Sequence, residues 1–127
     1  MTSTKHSQVR LGAFLAAAGL GVLLASTSSG CAGADLGECP PDSAAQQALG
    51  RQAMTDNCLY CHSSQLTGAL RQDAPADYNF DDLAFVRAEA EELYGEAEEG
   101  AMPPSQPMSA EQIENFRVFL ACGAPAP

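Results

Sequence analysis

The chain has 127 residues, 16 Asp and Glu against 6 Lys and Arg, a formal net charge of −10, no Trp, and aromatics at only 6%. That length makes room for one domain, and so few large rings leave it a thin core of its own. The acidity excludes nucleic acid as a partner, because such a surface repels phosphate backbones.

Residues 1–30 have the layout of a secretory signal: Lys5 and Arg10, an uncharged apolar run from Leu11 to Leu24, then the small residues Ser26 to Gly30. The run is too short to span a bilayer comfortably, so attachment to a membrane would require a lipid. Ser28-Ser29-Gly30-Cys31 resembles a bacterial lipobox, which implies diacylation of Cys31, with Ala32 in the position that outer-membrane sorting accepts. It departs from that pattern at Ser28, where Leu is preferred. Cleavage after Ala34, at a small-x-small site, is the alternative and would discard Cys31. On either route the protein is expected on the periplasmic side of a bacterial membrane, where disulfides persist.

All 16 acidic residues follow Cys31 with only four Arg, so the exported part carries a formal charge of −12. This charge is read either as plain solubility or as steering toward a partner with a basic docking patch. Residues 31–41 are small, acidic and Pro-bearing, which reads as a tether. Asp42 or Ser43 is then expected to cap a helix through Ala45, Leu49, Ala53 and Met54, with Gly50 inside it at an intrinsic cost of about 1 kcal/mol relative to Ala.

Cys58-Leu59-Tyr60-Cys61-His62 follows. A Cys-x-x-Cys-His run in an exported chain is the attachment signature of c-type haem: two thiols add to vinyl groups and the adjacent imidazole binds the iron. A redox disulfide and half of a zinc site are the competing readings.

The stretch from Ser63 to Asn79 reads as loop. Asp81 and Asp82 place negative charge at the start of a helix whose apolar positions Leu83, Val86, Ala90, Leu93 and Ala97 recur at three- and four-residue steps, and Gly100 ends it. Met102-Pro103-Pro104 leaves that helix on a stiff loop suited to presenting a thioether to an open axial position of iron. Ser109 and Gln112 form a capping box ahead of Ile113, Phe116, Phe119 and Leu120, and the helix stops at Cys122-Gly123 before a tail at 124–127.

From Asp42 to Gly123 this order resembles the class I cytochromes c, most specifically in the haem motif and in the Met-Pro-Pro loop, which small bacterial members share. The resemblance implies an all-α fold of three principal helices around one covalent haem over 42–123. Gly50, eight residues before the first haem Cys, would let the last helix cross closely with Phe119 packed on it; Met54 stands where the family usually has an aromatic. It implies His62 and Met102 as axial ligands, with Met108 as the fallback, and the carbonyl of Pro75 receiving the other imidazole N–H. Arg71 is a candidate partner for a haem propionate. With Cys58 and Cys61 given to haem, Cys39 and Cys122 remain to pair as a disulfide.

Iron with His and Met on both axial sites cannot bind substrate, so the expected function is one-electron transfer between redox partner proteins, without catalysis. Two alternatives stay open. If Met102 is not a ligand, an open sixth site would suit a haem-based sensor or a peroxidase-like protein. If no haem is attached, the Cys pairs could build a zinc or disulfide module.

Overall fold

The computed structural model of the protein describes residues 33–127. The signal segment 1–30 and the lipidation expected at Cys31 lie outside the described residues. The fold is all-α: α1 (Ala44–Cys58), a 3₁₀ turn (Gly68–Arg71), α2 (Leu83–Ala88), α3 (Ala90–Glu98) and α4 (Ala110–Ala121), with no strand among the described residues.

Helix α1 begins after Ser43, but that side chain does not cap it. Its hydroxyl donates to the Pro40 carbonyl at 2.7 Å and accepts from Gln47 Nε2 at 2.9 Å, closing the turn that enters the helix. The helix continues past Met54 and carries Cys58 on its last turn. Its buried residues Gly50, Ala53 and Met54 occupy one stripe, consistent with the sparse apolar periodicity of the segment.

That stripe meets α4. A Cβ built on Gly50 would lie 2.6 Å from the Phe119 Cβ and would overlap the Asn115 carbonyl oxygen. The two backbones therefore touch where glycine removes the side chain. Phe119 is fully buried beside the crossing, and the Arg51 guanidinium sits over its ring, 5.5 Å from the centroid. Helix α4 has the full capping box: the Ser109 hydroxyl accepts from Gln112 N at 3.2 Å, and the Gln112 side chain accepts from Ser109 N at 2.9 Å.

The segment read as one helix from Asp81 to Gly100 is two, so the described residues form four α-helices where three were expected. Asp82 caps α2 by accepting from Ala84 N at 2.8 Å, and Glu89, at φ −106 and ψ 16, leaves helical geometry between α2 and α3. The two pieces answer to different neighbours. Arg87 of α2 donates to the Gly123 and Ala124 carbonyls, whereas α3 packs on α4. Val86, Ala90, Leu93 and Ala97 all stay buried, because the break preserves their spacing.

Among the described residues, parts of the segments read as a tether and as a tail touch the helices. Ala34 and Leu36 lie against the core, and Arg117 Nη1 donates to the Leu36 carbonyl. Arg51 Nη2 donates to the Pro125 carbonyl, and Ala124 is fully buried. Cys39 and Cys122 are joined as a disulfide with a Cα–Cα distance of 4.7 Å.

Candidate functional site

The end of α1 forms one wall of a cavity of about 470 Å3, within the range typical of small-molecule and cofactor sites. Cys58, Cys61 and His62 line it, as do Met102, Pro103, Pro104 and Met108 from the segment between α3 and α4. Phe80, Leu93, Ala97 and Phe116 supply apolar surface, and Asp73, Glu92 and Glu96 bring charge to its edge.

The chain reaches this arrangement by winding one further turn past α1. Cys61 N and His62 N both donate to the Cys58 carbonyl, at 3.2 and 2.9 Å. His62 is then held from three sides. Its carbonyl accepts from Phe80 N at 2.8 Å, its ring stacks on Phe80 with centroids 4.4 Å apart, and its Nδ1 lies 3.2 Å from the Tyr78 carbonyl oxygen. A carbonyl only accepts, so Nδ1 bears the proton and Nε2 keeps its lone pair. Burial lowers the imidazole below its ordinary pKa, the Tyr78 bond opposes this, and the Arg71 guanidinium adds to the lowering. The neutral ring, with Nε2 unprotonated, is thus the form favoured at neutral pH.

Cys58 and Cys61 are both free thiols. Burial, and secondarily Cys61, push the Cys58 thiol up to about 12. Dithiol redox motifs place the reactive Cys at a helix N-terminus, where the positive end of the dipole favours thiolate. Cys58 stands at the opposite end of α1. The pair therefore lacks the activation of a disulfide-exchange site.

Two of the sequence-derived assignments change. The carbonyl facing His62 Nδ1 is that of Tyr78, not of Pro75, whose oxygen accepts from Arg71 Nη2 and from Tyr78 N instead. Arg71 does not reach out toward a propionate. It is 6% exposed, and its five N–H donors go to the carbonyls of Ser63, Ala74, Pro75 and Tyr78 and to Asn79 Oδ1. The 71–79 loop is wrapped around this guanidinium, and Pro75 lines the cavity as part of it.

Met102 and Met108 both border the cavity but differ in setting. Met102 is 45% exposed, with its N–H on the Glu96 carbonyl at 3.0 Å, whereas Met108 is buried at 6%. Both thioethers are thus within the lining.

Sequence reasoning missed Tyr78, Phe80 and Asp81. The Asp81 carboxylate accepts from Ser64 N and from the Ser63 and Ser64 hydroxyls, fastening the chain just beyond His62 to the start of α2. A Ser-Ser pair after the His is the only local sign of such a latch.

The cavity thus offers two thiols, an imidazole nitrogen with a free lone pair, and two thioethers, a soft to borderline donor set. Among the described residues no three His, Cys, Asp or Glu side chains gather as a metal-binding group, and no helix is long and apolar enough to cross a membrane. No protein-family model, curated protein or solved structure matches the chain.

Proposed function

We propose that this protein is an exported monohaem electron carrier of cytochrome c-like fold, with haem bound through thioethers to Cys58 and Cys61. The observation that carries the reading is the convergence of Cys58, Cys61 and His62 with Met102 and Met108 on one largely apolar cavity. The crossing of α1 and α4 at Gly50 supports the same fold.

The donor set fits the group. Two thiols three residues apart would suit addition across two vinyl groups, His62 Nε2 would be free to bind the iron, and Met102 or Met108 would supply a thioether donor. The bound group supplies a one-electron ferric–ferrous couple. The chain's own residues would do the rest: Tyr78 O and Phe80 orient His62, Phe116 and Leu93 exclude water, and the Met-Pro-Pro loop would present Met102 as the second ligand, with Met108 as the alternative.

The outer surface favours a partner with a basic docking patch. Among the described residues each of the four Arg donates to main-chain carbonyls, and Arg117 also pairs with Glu114 at 2.7 Å. Arg71 is buried and the other three are held by hydrogen bonds nearer the surface, so the more numerous carboxylates set the charge of the outer face. Location on the periplasmic side of a membrane, anchored through Cys31, belongs to this proposal.

A haem-stained denaturing gel and visible spectra of the oxidised and reduced protein test it. Covalent haem with a low-spin spectrum is expected; absence of covalent haem would falsify the reading. The 45% exposure of Met102 favours one second reading, an open sixth site serving as a sensor or peroxidase-like centre. Carbon monoxide binding to the reduced wild-type protein at neutral pH selects that reading. The zinc alternative is weakened by the Cys39–Cys122 disulfide, which removes two of the four thiols on which it depends.

A further inference from the structure

The Tyr78 carbonyl serves two donors. It faces His62 Nδ1 at 3.2 Å and Arg71 Nη2 at 3.0 Å. Arg71 is buried, and among the described residues it has no carboxylate within salt-bridge distance, the single ion pair being Arg117–Glu114. An unneutralised guanidinium thus lies two hydrogen bonds, through one shared carbonyl oxygen, from the ring that borders the cavity. Nothing in an ordinary loop staple requires its charge to be left unpaired, since burying a cation is costly even when it is fully hydrogen-bonded.

We propose that Arg71 is a positioning residue that sets the electron affinity of the site through His62. The inference rests on the haem reading above. Two effects act in the same direction. A carbonyl already polarised toward a guanidinium is a weaker acceptor for His62 Nδ1–H, so less electron density is passed through the ring to Nε2 than when the carbonyl serves the imidazole alone. The fixed positive charge, screened by little water, also favours the state of the site that carries one more electron. The electron would come from a donor protein, and its uptake by the bound group would require no proton transfer at His62 or Arg71. Arg71 therefore raises the reduction potential.

The loop geometry fits this role. Ser63, whose carbonyl also accepts from Arg71 at 2.8 Å, directly follows His62, so the guanidinium spans both the residue after the ligand and the carbonyl behind it. A shift of this side chain would be felt at His62 from two directions.

The test uses the exported holo-protein and two variants. Arg71→Gln removes the charge and keeps some hydrogen bonding; Arg71→Lys keeps the charge and loses the fork. In Arg71→Gln the midpoint potential should fall, by on the order of a tenfold change in the reduced-to-oxidised ratio at fixed poise, which is ~59 mV for one electron. The His62 Nδ1–H proton resonance of the diamagnetic ferrous form should move downfield as its bond to Tyr78 O strengthens. Arg71→Lys should stay closer to wild type in potential. If Arg71→Gln keeps the wild-type visible spectrum with an unchanged potential and an unmoved Nδ1–H resonance, Arg71 is only a loop staple and the inference fails. If neither variant retains haem, the same resonance is followed in Asn79→Ala, which frees one Arg71 donor and keeps the charge; it should shift, and no shift overturns the inference. Absence of covalent haem in the wild-type protein instead overturns the functional reading on which it rests.

Discussion

Gly50 and Phe119 meet so closely that a single methyl group on the first would lie 2.6 Å from the Cβ of the second. The neighbouring Asn115 carbonyl belongs to the backbone of α4 and cannot swing aside, so Gly50→Ala must push the helices apart. The helix propensity gained is about 1 kcal/mol, and overpacking costs more, typically 1–3 kcal/mol and above that where backbone is struck. A net loss of about 2 kcal/mol is expected in urea unfolding of the holo-protein. A neutral or stabilising Gly50→Ala would mean that the crossing is looser than described.

The Cys39–Cys122 bond closes a loop with a sequence separation of 83. Chain entropy sets its contribution at up to ~4–5 kcal/mol, with residual structure in the unfolded chain reducing that figure. The double variant Cys39→Ala, Cys122→Ala should unfold at markedly lower denaturant while retaining its helical circular dichroism. The same midpoint in both proteins would assign the closure of the ends to the Arg contacts alone.

Ser109 opens α4 with both bonds of its capping box made. Ser109→Ala should destabilise the protein by about 1 kcal/mol, the usual cost of a lost cap. Ser43→Ala removes a turn-closing hydroxyl rather than a cap, so comparing the two in thermal melts separates those roles.

Asp81 gives the fold an acid-sensitive latch. Desolvation raises its pKa, but the Ser64 N–H and the Ser63 and Ser64 hydroxyls outweigh this, and the net shift is downward. A folded pKa below the unfolded value stabilises above the unfolded pKa of about 3.9, and that contribution disappears as pH falls through the folded value. Asp81→Asn should therefore be less stable than wild type at pH 7, on the order of 1 kcal/mol after solvent screening. The two proteins should converge in urea midpoints as pH falls through the folded-state pKa of Asp81, and a gap that persists once the carboxylate is protonated in both states would rule it out as the source.

On the haem reading proposed above, distal ligation would separate the two methionines. Met102→Ala should retain covalent haem and acquire carbon monoxide binding in the reduced state, at little cost in stability given its exposure. Met108→Ala removes a buried side chain and should cost about 2–4 kcal/mol without opening the iron. The reverse spectroscopic pattern would transfer the ligand role to Met108.

How much of this was legible in the sequence depended on whether the signal was contiguous. Cys58, Cys61 and His62 adjoin one another, and α4 has its cap and apolar stripe in one window, so both could be read directly. The break at Glu89 was hidden because the apolar spacing from Val86 to Ala97 continues through it. Arg71 and the Tyr78 carbonyl had no local sign at all. A buried guanidinium fed by main-chain oxygens depends on how a loop is wrapped, and a carbonyl acceptor carries no residue identity. Pro75 was a reasonable candidate by its distance from His62, yet the turn from Pro75 to Tyr78 presents a different oxygen. The contacts of residues 34–36 and 124–125 with the helices were hidden for a similar reason: a small, Pro-bearing composition looks like linker, and the Arg side chains that bind those segments lie far away in sequence.

Those grips on the ends determine where the chain is open to enzymes that trim from a terminus. Ala124 is fully buried, its N–H bonds to the Phe119 carbonyl at 2.9 Å, and Arg87 takes its oxygen. A carboxypeptidase needs a free extended end in its cleft, so digestion is expected to halt within the last three residues, giving a short ladder by mass spectrometry.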